Sequence, residues 1–132
     1  MITCFIYTPG GKTVELETEI VSIGASDGRR GIIPGHMPIC FPLVASRFTT
    51  TVNGVRKHYA AGEGILYFED DVAKIFVDSF ESQEEIDVKR AEEARKRAEN
   101  RIRAKKPNLD LKRAEVALRK AINRIDVASY RD

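Results

Sequence analysis

Apolar and polar residues alternate with period two through the first 84 residues, and turn residues interrupt the alternation at short intervals. Cys4, Ile6 and Thr8 share a parity that ends at Pro9-Gly10-Gly11. Val14, Leu16, Thr18 and Ile20 predict a second strand, and the parity then shifts at Val21 and Ile23, which predicts a bulge or bend. Residues 48–52 and 55–60 flank Asn53-Gly54, the dipeptide best suited to a type I′ hairpin turn. Residues 65–68 and 72–77 predict a second hairpin around Glu69-Asp70-Asp71. Many short strands at this spacing predict a small β-sandwich or flattened barrel.

The pattern changes near Ser82. Ser82 with Glu85 predicts a reciprocal helix cap, opening a stretch rich in Ala, Glu, Lys and Arg. Lys106-Pro107-Asn108 breaks it, and Asn108 is a suitable cap for a second helix running towards Tyr130. The short connection predicts an antiparallel hairpin. The fold class is therefore α+β in two parts: an all-β sandwich over residues 1–84, then a two-helix hairpin over 85–132. The helices also repeat one another. Residues 86–102 (IDVKRAEEARKRAENRI) and 109–125 (LDLKRAEVALRKAINRI) align without gaps and share ten of seventeen positions. Helix-former bias alone explains part of that match.

Val88, Ala91, Ala94, Ala98 and Ile102 recur along the apolar face of the first helix. Leu111, Ala114, Leu118, Ala121 or Ile122, Ile125 and Ala128 recur along the second. A seam made mainly of alanine buries little area, so burial stabilises it by only a few kcal/mol, at ~25 cal/mol per Å2. The predicted molecule is a firm β part carrying a weakly held helical arm, suited to a conformational switch or to a plain structural appendage.

Charge sharpens the division. The chain has 132 residues and a formal net charge of +2. Residues 1–84 hold 7 basic and 11 acidic side chains, a net of −4, whereas 85–132 hold 15 and 9, a net of +6. No apolar run approaches the ~18 residues of a membrane span, so no direct membrane insertion is expected. The N-terminus lacks the basic and apolar regions of a secretory signal. Cys4 and Cys40 lack metal spacing and read as reduced core residues of a cytosolic protein.

The motifs of catalysis do not assemble. His36 and His58 lie in different segments without ligand spacing, and Gly28, Gly31 and Gly35 sit among strands rather than before a helix. No catalytic residue, metal ligand or required cofactor is expected. The loop 28–39 (GRRGIIPGHMPI) is stiffened by Pro34 and Pro38 and predicts an irregular segment, either an exposed docking edge or a crossover closing the sandwich. A nucleic-acid-binding module using the basic arm is the alternative reading. Nine interleaved acids, and Tyr130 as the arm's single aromatic, weigh against nucleic acid as a partner.

Four features in order carry a resemblance: GxxGIxPGHxP, then AAGEGILYF, then an IDxxRA helix, then a second Ala/Arg helix. Together they make the chain similar, over essentially its whole length, to the epsilon subunits of bacterial F-type ATP synthases. The resemblance implies a non-catalytic rotor subunit of a proton- or sodium-translocating synthase, peripheral on the cytoplasmic side of the bacterial cell membrane. It implies that the β part docks on the gamma subunit and the c-ring. It also implies that the helices, when extended, reach the catalytic alpha/beta head and inhibit ATP hydrolysis, with basic residues such as Arg113, Arg119 and Arg124 meeting acidic surfaces there. ATP enters as a regulatory ligand holding them compact.

Residue by residue, the family's nucleotide motif maps onto Ile86, Asp87, Arg90 and Ala91, with further basic positions at Arg97, Lys120 and Arg124. The spacings suit this mapping, because seven residues are nearly two turns and four are one. The ring-docking loop of the family corresponds to Arg29, Arg30, Pro34, Gly35 and His36. Three positions depart from the family pattern. Lys120 stands where ATP-binding relatives commonly carry Arg, giving up planar bidentate contact with phosphate. Arg29 and Arg30 replace a frequent acidic residue, and Glu63 interrupts a usual Gly-Gly pair in Ala61-Gly62-Glu63-Gly64.

Overall fold

The computed structural model describes residues 1–11 and 13–132. They form two compact units, Met1–Gln83 and Glu84–Asp132.

The first unit is a ten-stranded sheet curled on itself. In chain order the strands are β1 (Ile2–Tyr7), β2 (Thr13–Thr18), β3 (Ile20–Ala25), β4 (Gly28–Ile32), β5 (Ile39–Leu43), β6 (Ser46–Val52), β7 (Val55–Ala61), β8 (Gly64–Glu69), β9 (Val72–Val77) and β10 (Phe80–Ser82). Their spatial order is β10-β7-β6-β3-β5-β8-β9-β1-β2, with β4 branching from β3. All pairings are antiparallel except β1 with β9. Alternation along the strands sends one set of side chains inward. Ile2, Cys4, Ile6, Val21, Ile23, Phe48, Leu66, Phe68 and Ile75 are buried in one core, with Val14, Leu16 and Tyr59 packed against it. Burial in that core pushes the Cys4 thiol up to about 12, because the thiolate would lose its water.

The two expected hairpins form. Val52 pairs with Val55 across Asn53-Gly54, whose φ values of 51° and 76° are those of a type I′ turn. Glu69 pairs with Val72 across Asp70 and Asp71, also at positive φ (50° and 60°). Gly64 is fixed by close approach rather than by φ. A methyl group there would overlap the Phe76 carbonyl, so Glu63 separates two glycines without relaxing the demand for the second.

The parity shift after Thr18, read as a bulge or a bend, is a bend at Glu19: β2 pairs with β1, whereas β3 leaves to pair with β6. Thr18 holds the corner, its buried Oγ1 accepting the Thr51 N–H at 3.0 Å and lying 2.8 Å from the Ile20 carbonyl. Residues 28–32, read as irregular, form β4 in register with β3, so only the segment after Ile32 loops out. Cys40, read as a core residue, is exposed on β5.

A single 3-10 turn over Gln83–Glu85 crosses the boundary in sequence, and the second unit continues with helices α1 (Val88–Ala104) and α2 (Leu111–Ser129), which pack on each other. Neither Ser82 nor Asn108 caps a helix. Ser82 is committed to β10, paired with Tyr59. Instead Asp87 caps α1 and Asp110 caps α2, each carboxylate accepting the backbone N–H three residues on, from Arg90 and Arg113, at 3.1 Å. α1 ends on Lys105 in the left-handed conformation (φ 48°). Ala91 and Ala98 on α1, with Ala114, Ala121 and Val127 on α2, are the buried helical residues. Val88 and Leu111, read as seam positions, are exposed instead. Among the described residues no helix is long and apolar enough to cross a membrane.

Candidate functional site

Two sets of candidate residues lie in separate units. In the β unit, Arg29 and Arg30 project from β4, and Pro34, Gly35 and His36 follow in the loop to β5. The Arg29 guanidinium donates to Ser22 Oγ at 2.9 Å. Arg30 forms an ion pair with Asp27 at 2.7 Å and lies 5.0 Å over the Phe41 ring. The loop is tied down rather than loose. Gly35 at φ 83° donates its N–H to Asp71 Oδ1 at 2.7 Å, and His36 packs edge-on to Phe68 at 5.9 Å. These ties leave the apolar tips Ile33 and Met37 outward, 57% and 72% exposed.

Beside this loop the outer face of the sheet carries an aromatic group that strand periodicity did not single out. Tyr7 stacks on Phe76 at 4.9 Å, and Tyr67 meets Phe76 edge-on at 6.0 Å. Tyr67 and Phe76 are exposed. Each occupies the parity that faces water, between inward residues such as Leu66, Phe68, Ile75 and Val77. An aromatic residue at a solvent parity was the available signal. A cavity of about 750 Å3 runs along the same side, lined by Pro38, Ile39, Tyr67 and Lys74 among others.

In the helical unit, the mapped residues come from both helices. Asp87 caps α1, so one carboxylate oxygen is engaged by the Arg90 N–H. Ile86 and Ala91 are buried, while Arg90 and Arg97 are exposed without an ion pair among the described residues. Lys120 and Arg124, on the second half of α2, are half-buried and each already has an interaction partner. An antiparallel hairpin sets the start of α1 beside the end of α2, so Arg90 and Arg124 belong to the same end of the pair.

Comparison with known proteins follows the same division. Residues 1–83 match the ATP synthase delta/epsilon chain beta-sandwich domain, and residues 84–129 match the ATP synthase delta/epsilon chain long alpha-helix domain. The chain is 40% identical over 126 residues to the ATP synthase epsilon chain of Bacillus cytotoxicus, covering 96% of this chain and 95% of that one. It is 38% identical over 100 residues to the epsilon chain of Bacillus thuringiensis strain Al Hakam, covering 76% and 75%. In fold it resembles a chain of the Euglena gracilis mitochondrial ATP synthase OSCP/F1/c-ring structure (TM-score 0.78, 18% identity, covering 92% of this chain and 78% of that one). A chain of the Tetrahymena thermophila mitochondrial ATP synthase central stalk/c-ring structure matches at TM-score 0.57 and 12% identity, covering 97% and 93%. Matched along both units, with an epsilon chain aligned almost end to end, this chain belongs to the ATP synthase delta/epsilon chain family and is a non-catalytic stalk subunit.

Proposed function

We propose that the β unit couples a gamma subunit to a ring of c subunits, on the cytoplasmic face of a bacterial membrane, so that ion flow turns the stalk. The outward aromatic group Tyr7, Tyr67 and Phe76 supports docking on one protein surface, since exposed aromatics lose most water on association. The pinned loop with Ile33 and Met37 at its tips supports the second contact.

The hairpin is the regulatory part in this reading. Its alanine seam is the observation that carries the proposal: helices joined by methyl groups exchange partners at little cost. Extended, the net positive arm meets acidic surfaces of the alpha/beta head and holds back ATP hydrolysis. ATP bound by Arg90, Arg97, Lys120 and Arg124, with Asp87 beside them, favours the paired form by mass action. Lys120 supplies a point charge in place of a bidentate fork, which weakens that binding.

Removing the residues after Glu84 tests the division of labour, because the β core lies wholly within residues 2–77. In the reconstituted synthase the truncated chain should keep ion flow coupled and release hydrolysis from inhibition. Lost assembly with unchanged hydrolysis would overturn the assignment. Calorimetry of the full chain with ATP tests the ligand: one-to-one binding that is lost in Arg90→Ala and Arg97→Ala is expected, and binding indifferent to both removes the site.

A further inference from the structure

The internal repeat does structural work beyond helix-forming bias. Asp87 and Asp110, equivalent in the repeat, cap their helices through the same bond at the same 3.1 Å. The equivalent pairs Ala91/Ala114 and Ala98/Ala121 are all buried. Antiparallel helices with equivalent residues in equivalent roles are related by an approximate two-fold axis perpendicular to the plane of the pair. Such an axis keeps corresponding outward residues on one face. It carries Arg90, Arg97 and Arg101 of α1 onto Arg113, Lys120 and Arg124 of α2. Spacings of seven and four residues hold each trio on one side of its helix.

The loop end of this stripe borders a cavity of about 440 Å3, lined by Arg101, Lys106 and Arg113 with Asn108, Leu109, Asp110 and Ala114. It lies where the end of α1, the turn and the start of α2 converge. None of the three cations forms an ion pair among the described residues. The start of α2 is already satisfied by Asp110, so attraction comes from the side chains and not from the helix end. Asp110 is the one carboxylate in this lining against three cations, so the hollow keeps a net positive charge that an entering anion would neutralise.

We propose that this cavity binds the phosphate chain of a small polyphosphate, either free or as part of a nucleotide. Arg101 and Arg113 present two planar forks for phosphate oxygens, and Lys106 adds a point charge. Leu109 and Ala114 form an apolar wall beside them, which a nucleoside would cover. A ligand gripping both helices at the turn stabilises the paired hairpin, since separated helices lack the site. The site does not depend on ATP binding at the opposite end.

The test is titration of the full-length, 15N-labelled chain with pyrophosphate, followed at the backbone amides of residues 106–114. Saturable shifts are expected, with affinity falling about tenfold or more in the Arg101→Gln/Arg113→Gln double variant and unchanged in Lys57→Gln, an exposed cation of the β unit. Glutamine keeps helix propensity, and helical circular dichroism checks that the double variant stays folded. ATP titrated in parallel separates the sources. Tighter binding than pyrophosphate identifies a nucleotide, equal binding identifies the phosphate chain alone, and both support the site. Shifts reproduced by sodium chloride at matched ionic strength, or persisting in the double variant, overturn it.

Discussion

The two units of this chain are stabilised by opposite means. The β unit closes over large side chains, with Phe48, Phe68, Leu66 and a set of isoleucines fully excluded from water. Four of the five buried residues in the hairpin's helices are alanines, Ala91, Ala98, Ala114 and Ala121, whose methyl groups each contribute about 0.8 kcal/mol of burial, and Val127 is the fifth. A core of the first kind resists rearrangement, because opening it exposes areas that nothing else replaces. A seam of the second kind can be exchanged for another surface of similar poverty. The part proposed to transmit torque is thus built rigid, and the part proposed to respond to ligands is built cheap to open.

Truncating a large core side chain is the strongest way to probe that contrast. Phe48 is buried and meets Tyr59 at 5.8 Å and Phe80 at 5.4 Å, both edge-on. Phe48→Ala should cost the β unit about 3–5 kcal/mol, read from the denaturant midpoint of tyrosine fluorescence. A cost below about 1 kcal/mol would show that the core yields as readily as the seam and would break the comparison.

A smaller and symmetric effect is expected at the caps. Asp87→Ala and Asp110→Ala should each destabilise the hairpin by about 1 kcal/mol, by similar amounts, because the two bonds are of equal length. Thermal melting followed by helical circular dichroism measures both. A large disparity would mean that the repeat no longer governs the energetics of the pair, and the helices would have to be treated as unrelated.

What the sequence disclosed depends on how local the cause is. Asn53-Gly54 specifies its turn within two residues, and the structure has that turn. The parity change at Glu19 read as a bulge or a bend, and a bend it is, but the pattern does not say which strand comes next; β6, which starts only at Ser46, decides that. Ser82 and Asn108 carry the right side chains for caps, but Ser82 is taken by sheet pairing and Asp110 stands immediately before Leu111. In the hairpin the candidate cations were legible through the family resemblance, and helical spacing added only that they can share a face. The Tyr7, Tyr67 and Phe76 group was not, since an aromatic in a strand reads as core until the sheet's inward parity is known.

The smallest expected effect lies where the two helices stop repeating. Arg95 on α1 sits between Glu92 at 2.8 Å and Glu99 at 3.5 Å, and Arg103 reaches Glu99 at 4.0 Å. At the equivalent positions α2 has Leu118 for Arg95 and Ile122 for Glu99, so one helix carries a charged ladder where the other is apolar. These pairs are more than a third exposed, and exposed ion pairs one turn apart contribute about 0.3–0.5 kcal/mol. Arg95→Gln should therefore lower the hairpin's melting free energy by no more than about 0.5 kcal/mol, and raising the salt concentration should erase the difference. A loss above about 1 kcal/mol that survives high salt would mean that Arg95 supports the hairpin by packing of its stem. The alanine seam would then be less lonely than it looks, and the contrast between the two units correspondingly narrower.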